Sequence, residues 1–449
     1  MILFSPLGNT DPIRDFHDGA CLHIVRHYLN QGLKHVVLFF TAEMEKKEDA
    51  YQPYTRAIKK IAPVVEIEKI YTGIKDAHLY DSFIKILPQN IYKLHENYPD
   101  EEILLNLSSG TPQIKNLLAI IAIETNWSRA VQVSSPAEAS NLKVENVSDS
   151  EEFQIMLDDN FDDKPNAKNR CLEPPLRVLR LYNDKNKILS LIAQYEYAAA
   201  LTIAKQNPNI PDEVKILLEH AALRLKLRTT DAKKFLSKYN GKNLFPFGGT
   251  QEKLLEYLLT IQADREIGNL SSVLIKTVPF LYEILAEYVL RDDTLKIKQS
   301  CEMRKIKDSP LQETNLELKR VLLEKNNPAL LAFLDKSFGN PYRDSFLSEK
   351  ILKFICAYAA ALSENNIYKE ITQKLKNIEN RNVIDLRNQI AHIITDVDEN
   401  KFFNVTGMSS NELVEYFFRM MILIYGEEIK IQRTLYRNIN QWIQSALEK

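Results

Sequence analysis

Glycine is scarce in this chain: 12 of 449 residues, below half the usual share of about 7%. None occurs between Gly110 and Gly241. A chain so poor in its most flexible residue, and rich in Leu, Ile, Lys, Glu and Ala, is expected to be mostly helical. Cysteine is scarce as well. Cys21, Cys171, Cys301 and Cys356 stand far apart, with no C-x-x-C pair. That argues against a zinc site or a disulfide framework, and for a reducing, cytoplasmic setting. Long apolar runs are missing. The best, Phe417 to Tyr425, falls far short of the ~20 residues that span a bilayer, so no membrane partner is expected. The start, MILFSPLGNTDPIRD, has neither a basic lead nor a long apolar core and does not read as a signal peptide. A surplus of one charge is absent too: 58 Lys+Arg against 60 Asp+Glu leave a net charge of −2. This excludes a globally basic nucleic-acid coat but leaves room for a local basic groove.

What is present is ordinary for folded protein: 45% apolar and 26% charged residues, on a length that suits two to four domains. Residues 1–150 differ from the rest. Short runs rich in Val, Ile, Leu and Phe recur at Ile2–Pro6, His35–Thr41, Val64–Ile70, Ile103–Leu107 and Ala130–Ser134. They are mostly continuous rather than alternating, as strands buried on both faces of a parallel sheet should be. Helical stretches lie between them, at Pro12–Asn30, Ala50–Ala62, Ala77–Tyr98 and Pro112–Asn126. The alternation predicts an open α/β sheet, with Asn141–Val147 as a closing hairpin strand. Residues 151–175 carry six acidic residues before Lys164 and then three prolines, and read as a solvated linker. From Leu176 onward only helices are expected, because apolar residues recur three and four apart.

Two loops of the N-terminal region resemble each other. After the first strand comes Ser5-Pro6-Leu7-Gly8-Asn9-Thr10-Asp11-Pro12. After the fourth comes Asn106-Leu107-Ser108-Ser109-Gly110-Thr111-Pro112. Each has a Gly, small polar residues, then a capping residue followed by Pro, which suits the first helical position. Open α/β sheets collect ligands at the carboxyl ends of their strands. Two helix N-termini aimed there would offer free N–H groups to a phosphate. Neither loop is a G-x-G-x-x-G or Walker sequence, so a standard dinucleotide or NTPase site is disfavoured.

Of eight histidines, only His392 lies beyond His220. In Val383-Ile384-Asp385-Leu386-Arg387-Asn388-Gln389-Ile390-Ala391-His392, the residues Val383, Leu386 and Ile390 form an apolar helical stripe, and Arg387, Asn388 and His392 lie off it. A cationic fork, an amide and an imidazole suit a phosphodiester. At 100° per residue, Arg387 and His392 sit about 140° apart on one helix. Two copies packed across a two-fold axis would bring both pairs into a shared cleft.

Arg387-Asn388 followed by Ala391-His392 resembles the Arg-Asn-x-x-x-His core of HEPN ribonucleases. The turns SPLGNTDPI and LNLSSGTPQ resemble a CARF domain, the Rossmann-like sensor of cyclic oligoadenylates. Sensor, helical middle and C-terminal HEPN, in that order, resemble the type III-A CRISPR-associated CARF–HEPN ribonucleases, the Csm-six family. The resemblance implies a CARF domain at 1–150, a linker at 151–175, a helical middle domain at 176–325 and an all-α HEPN domain at 326–449. It implies a homodimer that binds a cyclic oligoadenylate activator, here expected to be hexa-adenylate, and cleaves single-stranded RNA in antiviral defence. By motif, Arg387, Asn388 and His392 become the catalytic set. Asn9, Thr10, Asp11, Ser109, Gly110 and Thr111 become the ligand contacts. No metal or other cofactor is expected. Some related sensors also cleave their activator, which would add a ring-nuclease activity. Two other readings of the residues stay open: a nucleotide-sensing transcription regulator, and an α/β enzyme acting on a nucleotide with the helices as a dimerisation scaffold.

Overall fold

The computed structural model describes residues 1–136, 150–236, 244–305, 314–362, 366–379 and 396–448. The chain forms two compact units, Met1–Asn183 and Asp184–Lys449.

The first unit holds β1 (Ile2–Pro6), β2 (Ile13–Arg14), β3 (His17–Asp18), α1 (Ala20–Leu29), β4 (His35–Phe40), α2 (Ala42–Tyr51), α3 (Pro53–Ile61), β5 (Glu66–Tyr71), α4 (Ile86–Asn97), β6 (Ile103–Asn106), α5 (Pro112–Glu124), β7 (Ser128–Val133), α6 (Ser150–Asp158) and β8 (Cys171–Leu172). Its six-stranded sheet has the order β5-β4-β1-β6-β7-β8. The first five strands pair in parallel, and β8 closes the edge antiparallel to β7. The continuous apolar runs have a direct cause. Leu3, Val36, Leu38 and Phe40 face one core with residues of α1 and α3. Their neighbours Ile2, Phe4, Val37 and Phe39 face a second core with residues of α4 and α5. Each side of the sheet is covered by helices, so both faces of each strand must be apolar.

Two expectations need correction, and a third lies on residues outside those described. The helix expected over Pro12–Asn30 begins only at Ala20. Before it stands a hairpin, β2–β3, paired Ile13↔Asp18 and Arg14↔His17. Asp15 and Phe16 form its turn at φ of 48° and 60°, the backbone of a mirror-image two-residue turn. An Asp-Phe pair gives no such signal in sequence. The stretch 151–175 is not a free connector. Phe161 donates its N–H to Phe16 O at 2.8 Å, Asp162 accepts the Asp18 N–H at 2.7 Å, and β8 joins the sheet. Its acidic residues are held by cations of the same unit: Asp162 by Arg170 (2.8 Å) and Asp163 by Arg26 (2.7 Å). The expected strand Asn141–Val147 lies outside the described residues.

The second unit is helical, but not wholly. Cys301–Lys305, Thr314–Leu318 and Ser345–Phe346 form a three-stranded antiparallel sheet. The five residues of Thr314–Leu318 run into the helix Arg320–Asn326, so Leu318, Val321 and Leu322, three and four apart, imitate helical spacing across a strand–helix junction. Glu317, 3% exposed, is met by Arg304 from the neighbouring strand (2.5 Å) and by Lys319 (2.6 Å). The helical core packs Phe280 against Phe417 (4.7 Å between ring centres). Ser409 and Glu412 close a capping box at the start of the helix Ser410–Tyr425, which Gly426 ends at φ 92°. Among the described residues, no helix is long and apolar enough to cross a membrane.

Candidate ligand-binding crevice

Read in chain order, the five parallel strands stand as 3-2-1-4-5. The order reverses between β1 and β6, and crevices at such a reversal are where open α/β sheets bind ligands. The loops after β1 and β6 are the two turns singled out above. They touch backbone to backbone: a Cβ on Gly8 would lie 3.0 Å from Gly110 N, and Gly110 itself needs φ +82°. Only residues without a side chain allow this approach.

A buried polar chain forms the floor. Asn106, wholly buried, donates from Nδ2 to Ser5 Oγ and Ser109 Oγ, both at 2.8 Å. Its Oδ1 accepts the N–H groups of Ser108 (2.9 Å) and Ser109 (3.3 Å). Ser108 Oγ accepts the Val133 N–H at 2.7 Å, tying the loop to β7. Ser109 also hydrogen-bonds the Asp11 carboxylate. Asp11, 1% exposed, accepts the Gly8 N–H on Oδ2 and the Cys21 N–H on Oδ1, each at 3.0 Å. Burial raises the Asp11 carboxyl above its ordinary range, against the pull of these hydrogen bonds.

Asp11 was expected to cap a helix starting at Pro12. It caps α1 instead, across the intervening hairpin, by occupying the N–H of the second helical residue. The N-terminus of α1 is therefore already engaged. Thr111 does stand at the N-cap of α5, with extended φ and ψ, but makes no side-chain cap bond. Its Oγ1 is buried without a partner among the described residues.

The six expected ligand contacts thus meet at one crevice but differ in kind. Asn9 is exposed, and Thr10, Gly110 and Thr111 are half-buried. The Asp11 and Ser109 side chains are engaged inside the loops. Two cations had not been singled out: Lys47 on α2 and Lys115 on the first turn of α5. Burial lowers both ammonium groups below their ordinary range, although the Asp11 carboxylate within electrostatic reach raises them. A lysine four residues past the Thr111 cap opposes the helix dipole. That placement was the sequence signal that could have drawn attention to Lys115.

Arg387, Asn388 and His392 lie outside the described residues. Beside the crevice, Asp18, His23 and Asp162 bring their ligating atoms within 4.8 Å of one another. Their charge is already matched by Arg26 and Arg170. Burial would raise the Asp18 carboxyl, but hydrogen bonds from His23 and Arg26 and the charge of Arg26 hold it at about 2. In this structure the three belong to an internal ion-pair network.

Comparison with known proteins agrees with this architecture. The family model of the Csm6 CARF domain matches residues 65–171, that of the Csm6 6H domain residues 175–225, and that of the Csm6 HEPN domain residues 238–444. A protein of Mycobacterium tuberculosis named CRISPR system endoribonuclease Csm6 is 38% identical over 52% of this chain and 56% of its own length, so the match spans little more than half of that relative. A Streptococcus thermophilus protein named CRISPR system endoribonuclease Csm6′ is 32% identical over 67% of this chain and 75% of its own. The solved structure of Enterococcus italicus Csm6 bound to cyclic hexa-2′-fluoro-hexa-dAMP superposes with a TM-score of 0.63 at 22% identity, covering 99% of both chains.

Proposed function

The chain belongs to the Csm6 family, and from that premise we propose that it is an endoribonuclease of CRISPR defence, switched on when a cyclic oligoadenylate binds its N-terminal crevice. The observation that carries the reading is the crevice itself. Two glycine turns meet where the strand order reverses, the α5 N-terminus opens there, and Lys47 and Lys115 add positive charge. That is a site for phosphates. Asn9, Thr10, Gly110 and Thr111 touch the ring directly, and Asp11 and Ser109 hold the loops in shape. Hexa-adenylate is the proposed ring, a reading supported by the six-membered analogue, cyclic hexa-2′-fluoro-hexa-dAMP, bound in the Enterococcus structure.

The protein acts as a homodimer: the helical period would set Arg387 and His392 about 140° apart, and a second copy packed across a two-fold axis would bring both pairs into one cleft. RNA brings its own nucleophile, the 2′-OH. The site need only align it with the scissile phosphate and stabilise the charge that develops. Arg387 holds the phosphorane-like oxygens, His392 moves the proton, and Asn388 positions the arginine or the phosphate. The products are a 2′,3′-cyclic phosphate and a 5′-hydroxyl, and no metal is needed. Activation requires that the ring bind the competent arrangement more tightly than the idle one.

The test is fluorogenic RNA cleavage in EDTA, with each cyclic oligoadenylate added in turn. His392→Ala should abolish cleavage and leave activator binding intact. Turnover close to wild type in that variant, or activity lost in EDTA and restored by Mg²⁺, would overturn the proposal.

A further inference from the structure

A cleft of about 510 Å³ opens in the Asp184–Lys449 unit, between the helices Gly249–Glu266 and Ser410–Tyr425 and the stretch from Lys430 to Arg437. Five cations line it, Arg265, Arg419, Lys430, Arg433 and Arg437, against two carboxylates, Glu266 and Glu415. Three of the cations sit in exposed ion pairs: Arg419 with Glu370 (3.0 Å), Lys430 with Glu427 (2.5 Å) and Arg433 with Glu415. Such pairs contribute little to stability and exchange readily for another anion. The other two cations are less engaged. Arg265 reaches only its neighbour Glu266, at 3.4 Å, and its Nε is buried without a partner among the described residues. Arg437 is exposed and forms no ion pair among them.

A second observation points to a polar ligand. Gln262 lines the same cleft, and its amide nitrogen donates to Glu266 (2.9 Å) and to Arg433 O (3.2 Å). Its Oε1 is buried and unmatched among the described residues. One orphan acceptor and one orphan donor therefore border one cationic cleft, and unpaired buried polar atoms are costly unless something satisfies them. A second copy of the chain fits poorly, because interface cores are depleted of charge and this lining is dominated by it.

We infer that this cleft docks the phosphodiester backbone of single-stranded RNA, with Arg265 and Arg437 on phosphates and Gln262 on a ribose or base edge. The inference rests on the ribonuclease reading for the identity of the polymer, and it adds to that reading a substrate-holding surface outside the Arg387–His392 motif.

The test is fluorescence anisotropy of the full-length protein, without activator, on a labelled 2′-O-methyl RNA, which lacks the nucleophile and stays intact. Arg265→Gln/Arg437→Glu should raise the Kd about tenfold and flatten the plot of log affinity against log salt by about 1.4, at ~0.7 per lost phosphate contact. Arg437→Lys, which keeps the charge, should bind like wild type, and all variants should melt together. Unchanged affinity and salt slope in the folded double variant would overturn the inference, as would a wild type that does not bind the oligonucleotide. A double variant that turns from dimer to monomer in sedimentation would reassign the cleft to a second copy. If RNA binds and the double variant weakens it, yet the activated wild type cleaves no RNA, the docking site stands and the ribonuclease reading falls.

Discussion

Asp11→Ala removes a side chain that bridges both loops of the crevice. Its carboxylate accepts two backbone N–H groups at 3.0 Å, from Gly8 and Cys21, and a hydrogen bond from Ser109. At 1% exposure, water does not replace it. Losing the cap on α1 costs about 1 kcal/mol. Each buried donor left unsatisfied costs ~1–3 kcal/mol, of which the cap is one instance. The expected loss is therefore about 2–5 kcal/mol. At ~2–4 °C per kcal/mol for a unit of this size, the first melting transition of the full chain should fall by about 4–20 °C. Asp11→Asn keeps one acceptor but sets an amide N–H₂ against the other donor, so it should fall roughly half as far. Hydrogen exchange gives the local readout: amides of Gly8 and Cys21 should exchange faster in Asp11→Ala, and those of β4 should not. A variant that melts with wild type and keeps these amides protected, yet binds the activator poorly, would refute the reasoning. Asp11 would then be a ligand contact rather than an internal brace.

Thr111 provides the converse case. Its Oγ1 makes no cap bond, so Thr111→Ala should melt within about 2 °C of wild type, the N-cap term of ~1 kcal/mol being absent. It should still need about tenfold more activator for half-maximal RNA cleavage, since a two-fold-symmetric pocket loses the contact twice; an unchanged activation curve would place the ligand elsewhere. In the second unit, Arg224, 0% exposed, is held by Glu256 in a bidentate pair at 2.6 and 2.5 Å. Glu256→Ala strands that charge and should cost about 3–5 kcal/mol in denaturant unfolding. Arg224→Met/Glu256→Leu should recover most of it, and a double variant as weak as the single one would contradict this account. Burial first, and then the charge of Arg224, lowers the His220 imidazole to about 4. The unfolded chain, with an ordinary value of ~6.5, takes up that proton first, so stability is full above pH 6.5 and falls as pH drops toward 4, by at most about 3 kcal/mol. His220→Gln should flatten that part of a melting-against-pH curve, and an identical slope in the variant would exclude His220 as its source.

Much of the N-terminal architecture was legible in the residues. Ile2–Pro6, His35–Phe40 and Ile103–Asn106 are apolar without alternation, and the structure covers them on both faces. The two glycine turns were visible because their composition is extreme: a left-handed Gly110 and a Gly8 whose Cβ would crowd the Gly110 N at 3.0 Å leave few other residues to choose. The hairpin at Ile13–Asp18 was not legible. It depends on Asp18 being gripped by Arg26 and Asn160 and on Phe161 packing beside Phe16, contacts of up to 145 residues' separation that outweigh the weak turn preference of Asp15-Phe16. The acidic run at 151–163 looked like a solvated linker because acidic residues usually are solvated. Here Arg26, Lys60 and Arg170 meet them, and pairing across the fold leaves no periodic trace.

The sequence by itself determined the class of each region, through the period of its apolar residues, and the places where backbone must turn tightly, through Gly8, Gly110 and the prolines that follow. Those are local properties, written within a few residues of where they act. Tertiary structure decided which strands became neighbours, and so put β1 beside β6 and their loops into one crevice. It also sorted the polar residues there. Asp11 and Asn9 stand two apart in the same turn, yet one is 1% exposed and closes three hydrogen bonds while the other faces solvent. The same holds for Lys47 and Lys115, ordinary on their own helices and both within electrostatic reach of the buried Asp11 carboxylate. A side chain's burial and partners depend on segments that meet it from elsewhere in the chain, and no local pattern carries that information.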